Sequence, residues 1–229
     1  MPAALRCRIR PMEPRDIPQV LEIERDSFPR IWPRTHYQRE LENKMARYLV
    51  VCEPAGEGHA PADVPAPAAS GRGIGGLVRR FIGGQPPLEP ARDRIIGMVG
   101  LWCMVGSGHI VTIAVRQEHR RQGIGELLLT AALEAALEAG QQEVTLERRF
   151  SNQAARALYE KFGFLQVGVR ARYYSDNHED AVLMTSPPLR SPAFRELLAR
   201  RLAEQRARWA SDYPLAGLAE RLLQASPAG

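Results

Sequence analysis

Arg120-Arg121-Gln122-Gly123-Ile124-Gly125 is the segment whose residue types and spacing could do chemistry. It stands between an apolar run ending at Val115 and a helical pattern beginning near Ile124. Two glycines, one residue apart, let a ligand approach the backbone closely. The free N–H groups of a helix start, with the helix dipole behind them, make an anion site suited to a pyrophosphate. The segment is not a Walker loop, because no Gly-Lys-Ser/Thr follows. It is not the dinucleotide G-x-G-x-x-G either, because Leu128 stands where the third glycine belongs. Taken alone, it reads equally well as a plain strand-to-helix turn. His36, His59, His109, His119 and His178 fall in no triad or metal pattern. Cys7, Cys52 and Cys103 are far apart and in no metal-ligand spacing, so no metal is expected.

The elements that must position this segment follow from periodicity. Residues 6–10 alternate and then meet Pro11, as in a short edge strand. Residues 13–28 carry Ile17, Val20, Leu21 and Ile23 at helical spacing, with Pro14 near the start. Thr35 is expected to cap a second helix reaching Lys44, and 47–52 to form a strand. Residues 94–115 read as a hairpin turning at Gly106-Ser107-Gly108. A helix over 124–139 stops at Gly140, and a strand follows over 143–147. The next helix, 151–162, has Ser151 as its expected cap and Gly163 as its stop. Strands over 164–174 and 180–184 complete a domain spanning 1–188, closed by Pro187 and Pro188.

Two stretches stand apart. Residues 54–92 are 39 residues with 7 prolines and 8 glycines, an inserted flexible loop whose one candidate ordered piece is LVRRFI. Residues 189–229 form a helical extension. Ser191 is its expected cap, and Phe194, Leu197, Leu198, Leu202 and Trp209 share a stripe. A second short helix is expected at about 215–224. The stripe covers either the core or a partner, so an oligomer through this helix is an open reading.

Composition sets the outer bounds. With 229 residues, 45% hydrophobic and 25% charged, the chain is globular rather than disordered or fibrous. No apolar run approaches the ~18 residues of a membrane span, and the N-terminal residues do not read as a signal peptide. With three scattered cysteines, this points to a reduced, cytoplasmic setting. The net charge is +5, and among the basic residues only Lys44 and Lys161 are lysine. The arginines are spread over the whole chain, so no specific nucleic-acid surface is expected.

R-x-x-G-x-G after an IAV strand resembles the acetyl-CoA signature of the GCN5-related N-acetyltransferases (GNAT). TIAVRQEHRRQGIGELLLTAALEAA, VTLERRFSNQAARALYEKFGF and RARYYSDNHEDAVLM follow that family's order and spacing. The last two strings look most like the ribosomal-protein-alanine N-acetyltransferase (RimI-type) branch. The resemblance is strong over 94–187 and fair over 6–52; it does not reach 54–92 or the tail after 188.

The resemblance implies an α/β (α+β) fold whose mixed, mostly antiparallel central sheet is flanked by helices. The sheet would splay at an acetyl-CoA cleft between the strand ending at Val115 and that at 143–147. The backbone of Ile113, Ala114 and Val115 would meet the pantetheine arm, with the Val115 N–H polarising the thioester carbonyl. Arg120, Arg121, Gln122, Gly123, Ile124, Gly125 and Glu126 would hold the pyrophosphate. Asn152 would contact the cofactor; its other reading, a helix cap, is the role given above to Ser151.

Glu147 matches the general base that takes the proton of the attacking amine, and Tyr159 the general acid for the leaving thiolate. Without the resemblance, Glu147 reads as a solvated strand-end charge and Tyr159 as a core aromatic. The acceptor would enter between Phe28 and Trp32 on one side and Tyr173 and Tyr174 on the other. Two departures bear on specificity. Ile31 stands before Trp32 where the branch has a Pro-Trp pair, and Arg148 follows Glu147 where a small or apolar residue is usual.

The implied reaction is acetyl transfer from acetyl-CoA to a protein N-terminal α-amine, with ribosomal protein S18 as a candidate acceptor. The alternatives are a small-molecule amine (polyamine, amino acid or antibiotic) or a non-catalytic CoA-binding module.

Overall fold

The computed structural model describes residues 7–28, 35–53 and 93–209. Seven strands form one sheet: Arg8–Pro11 (β1), Ala46–Glu53 (β2), Arg94–Cys103 (β3), Ser107–Val115 (β4), Glu143–Arg149 (β5), Leu165–Arg170 (β6) and Ala181–Thr185 (β7). Their order is β1-β2-β3-β4-β5-β7-β6, and only the β4–β5 pair is parallel. The helices are Ile17–Ser27 (α1), Tyr37–Glu42 (α2), Ile124–Glu138 (α3), Gln153–Lys161 (α4) and Pro192–Trp209 (α5). This is the mixed, mostly antiparallel sheet that the resemblance implies. Trp32, the 54–92 insertion and the expected helix at about 215–224 lie outside the described residues. Among the described residues, no helix is long and apolar enough to cross a membrane.

The sheet separates two apolar clusters. On one face α3 packs Leu127, Leu128 and Leu133 against Ile96, Val144, Leu146 and Val182. Phe194, Leu198 and Leu202 of α5 are buried in this same cluster. On the other face Val20 and Ile23 of α1 and Tyr37 of α2 meet Tyr48, Val50 and Met98. Gly100 makes the second packing possible: a Cβ there would lie 2.4 Å from the Tyr48 ring.

Local chemistry moves three expected boundaries. The helix expected from residue 13 opens as a 3-10 turn over Pro14–Asp16 and becomes α-helical only at Ile17. The carboxylate of buried Asp16 is held there by both Arg10 terminal nitrogens (2.6 and 2.9 Å) and by the Glu13 N–H (2.8 Å). Thr35 does not cap α2. Its hydroxyl donates instead to Glu24 Oε1 at 2.6 Å, and α2 starts at Tyr37 without a side-chain cap and ends at Glu42. The strand expected over 164–174 ends at Arg170, because Arg172 and His178 adopt left-handed φ values of 54° and 57°. The loop they shape is closed by the Tyr174 N–H donating to the Glu179 carbonyl at 3.1 Å.

Candidate active site

The site begins where β4 and β5 part. Their parallel ladder runs from the Ser107–Glu143 pair to the Ile110–Leu146 pair and stops. Beyond it, β4 stays paired with β3 through Val99–Ile113, Met98–Ala114 and Gly97–Val115. The backbone of Ile113, Ala114 and Val115 therefore faces a gap on its β5 side. An extended, amide-bearing arm can add to such an edge as a strand would.

The chain then turns into α3 through two left-handed residues, Arg121 (φ 65°) and Gly123 (φ 91°). Gly123 is the N-cap of α3 and adopts this conformation freely, which an L side chain would not. Arg120 braces the turn, with Nε donating to the Val115 carbonyl (3.1 Å) and Nη2 to Ser27 Oγ (3.3 Å). The Gln122 side chain donates to the Glu118 carbonyl at 3.0 Å. Gly125 is open: a Cβ there would meet only Leu158, at 3.5 Å. The Glu126 carboxylate takes Lys161 Nζ at 2.8 Å. The segment thus has the bare backbone, the helix start and the nearby cations that a diphosphate requires.

Glu147 is the first residue of β5 past the last pair shared with β4, so its carboxylate stands at the mouth of the gap. It is not a loose surface charge. His109 Nε2 lies 3.0 Å from its Oε2, and Arg170 Nη1 lies 3.0 Å from its Oε1. The His109 ring is oriented in turn by Thr145, with Nδ1 2.9 Å from Oγ1. Sequence reading missed both partners. His109 is set opposite Thr145 by strand pairing, which no local feature of the sequence signals.

The two arginines after Glu147 go to opposite faces. Arg149 holds the 171–180 loop: it pairs with Asp176 (2.9 Å) and Glu179 (3.5 Å), and its guanidinium lies 3.9 Å from the Tyr174 ring centroid. Arg148 is buried on the α4 side, donating Nη1 to the carbonyls of Arg149 (2.9 Å) and Phe150 (3.1 Å).

Tyr159 is buried beside Phe164, their ring centroids 5.8 Å apart. Burial pushes its phenol well above the ordinary tyrosine range; the nearby Tyr174 adds to this, and the Arg148 cation opposes it. Tyr174 is also buried, and burial raises its phenol to about 12. Tyr173 packs edge-on against it (5.3 Å) and is exposed on its other side, while Phe28 packs at the margin of the α1-side core.

The cap of α4 is Asn152, not Ser151: Asn152 Oδ1 accepts the Ala155 N–H at 3.0 Å. Ser151 lies one residue before the cap and is engaged with Glu179 instead, its N–H donating to Oε1 at 2.5 Å. With the oxygen of Asn152 engaged, its amide nitrogen is the group left to meet a ligand.

Hydrogen bonds from Ser151, side chain first and then backbone, hold Glu179 down at about 2, below its ordinary 4.5. A carboxylate whose folded value is depressed stabilises the fold above its unfolded value, and this is lost as pH falls toward the folded one. Wild type is therefore expected to melt above Glu179→Gln at pH 6, with the difference shrinking between about pH 4.5 and 2. A difference in melting temperature that stays constant over that window would refute the linkage.

The acetyltransferase (GNAT) family profile matches residues 83–164. An N-alpha-acetyltransferase from Sulfurisphaera tokodaii is 34% identical over 181 residues, covering 79% of this chain and 92% of that protein. The chain belongs to the GNAT acetyltransferase family. This acetyltransferase is also 32% identical to a Bacillus subtilis protein provisionally named [ribosomal protein bS18]-alanine N-acetyltransferase, over 77% of this chain and 92% of that one. The fold matches the crystal structure of the ribosomal-protein-S18-alanine N-acetyltransferase from Escherichia coli. The TM-score is 0.55 at 22% identity, covering 80% of this chain and 94% of that one. It also matches Arabidopsis thaliana NAA60 in complex with acetyl-CoA (TM-score 0.57, 16% identity, 78% and 97% covered). GNAT acetyltransferases use acetyl-CoA as acetyl donor, and the open β4 edge and the turn at Gly123 fit that molecule.

Proposed function

We propose that this acetyltransferase acetylates the N-terminal α-amine of a protein, with Glu147 as general base and Tyr159 as general acid. The observation that carries the reading is the place of Glu147, just past the last β4–β5 pair and steadied by His109 and Arg170. Acetyl-CoA supplies an activated acetyl group when bound. Ile113, Ala114 and Val115 then orient the pantetheine arm along the open edge, with the Val115 N–H directed at the thioester oxygen. Residues 120–126 hold the diphosphate, and the amide nitrogen of Asn152 meets the cofactor beyond it.

An α-amine has an ordinary pKa of about 7.7–8.0, so near neutrality it arrives partly protonated. The Glu147 carboxylate takes its proton, directly or through water, as the amine attacks. His109 and Arg170, each 3.0 Å from one of its oxygens, hold that carboxylate in place. Tyr159, whose raised pKa keeps its phenol protonated, donates to the departing sulfur. Phe28, Tyr173 and Tyr174 line the acceptor side in this reading. Relatives named for N-alpha and ribosomal-protein-alanine acetylation support an α-amine acceptor, and ribosomal protein S18 is the specific candidate.

The test is thiol release from acetyl-CoA with peptides starting in Ala, Ser or Met, one N-terminally blocked peptide, spermidine and lysine. Turnover on free Ala-starting peptides that vanishes on blocking is expected. Turnover on spermidine or lysine alone would overturn the acceptor assignment while keeping the chemistry.

A further inference from the structure

The C-terminal extension reaches the cofactor turn. Helix α5 is held along α3 by buried Gln205, whose Nε2 donates to Thr130 Oγ1 at 2.9 Å. One turn later, Arg208 meets residues one to two turns earlier in α3: its Nη1 is 3.6 Å from Glu126 Oε1. The same nitrogen would lie 2.6 Å from a Cβ on Gly123. The two helices therefore run antiparallel, which sets the end of α5 beside the start of α3. The apolar residues Phe194, Leu198 and Leu202 fix this alignment from the core side.

The ion pair is a loose one for Arg208. Lys161 reaches the same Glu126 oxygen at 2.8 Å, while the Arg208 side chain is 45% exposed. A guanidinium resting against the bare backbone of Gly123, with its strongest carboxylate contact already shared, is free to turn its donors to an arriving anion. Charge-assisted, fork-shaped donation to phosphate is what guanidinium does best.

We propose that Arg208 is a phosphate-binding residue for acetyl-CoA, lent to the turn at Gly123 by the C-terminal helix. This rests on the reading that residues 120–126 hold the diphosphate. It adds to that reading a ligand from outside the stretch that resembles the family.

Calorimetric titration of the full chain with CoA is the first test. Arg208→Ala is expected to weaken the Kd about tenfold, the scale of one charge-assisted hydrogen bond, and Arg208→Lys to recover part of the loss. The wild-type Kd is expected to weaken more steeply with salt than that of Arg208→Ala. In kinetics, the ratio of kcat/KM for acetyl-CoA over S-acetylpantetheine, which carries no phosphate, is expected to fall about tenfold in Arg208→Ala. An unchanged or tighter CoA Kd in Arg208→Ala would overturn the proposal. Equal losses toward both donors would do the same, by showing that Arg208 acts through packing. A wild type with equal kcat/KM for both donors would fail earlier, by removing the diphosphate site on which the proposal rests.

Discussion

Glu147→Gln is expected to lower kcat/KM toward an Ala-starting peptide by about 100-fold or more while the protein still binds CoA. The substitution keeps the shape of the side chain and one acceptor oxygen for Arg170 or His109, the other oxygen becoming an NH2 donor. It removes the charge and, with it, the capacity to take a proton. Without that base, the reaction depends on the fraction of amine already free in solution. The deficit is therefore expected to be largest below the amine pKa of about 8 and to narrow as pH rises past it. A deficit independent of pH, or one matched by an equal loss of CoA affinity, would count against Glu147 as the base.

Tyr159→Phe is the second large effect, expected at about 100-fold in kcat. The phenol lies on a buried ring packed against Phe164, and Phe fills the same space, so the fold should be kept. The raised pKa decides how such a group works. A phenol this weakly acidic does not lose its proton at working pH, so it is present as a donor at every turnover. In the proposed role it donates to the negative charge that develops on the departing sulfur, and the nearby Arg148 cation offsets part of the burial that makes the phenol a weak acid. The Tyr159→Phe deficit should accordingly shrink for an acetyl donor whose thiol is more acidic than that of CoA. An undiminished deficit with such a donor would place Tyr159 in packing rather than in proton donation.

The sheet was legible in the sequence because its strands are marked by runs such as RIIGMVGLWC and HIVTIAV, and its helices by stops such as Gly140 and Gly163. The turn at Gly123 was legible for the same reason: the glycines are needed locally, and local needs are written locally. What could not be read depends on contacts distant in sequence. Thr35 and Ser151 have the right residue type for helix caps. Each instead serves a carboxylate interaction, Thr35 with Glu24 and Ser151 with Glu179. His109 and Arg170 come to Glu147 from separate strands. Arg148 and Arg149 are neighbours in the chain, yet the strand sends one into the core margin and the other to the 171–180 loop. Arg208 acquires its meaning only from the register of α5 on α3, which Gln205 and Thr130 set.

The parting of β4 from β5 also has a signature in amide exchange. An antiparallel neighbour engages only alternate residues of a strand, so β3 can protect about half of the amides over 111–115. Deuterium uptake along this stretch of the free protein should alternate, fast and slow, within a strand otherwise flanked by slow exchange. Loading with CoA should quench the fast positions and leave the slow ones as they were. The gap is then a missing strand that the ligand completes, and part of its binding energy becomes resistance to local opening in those five residues.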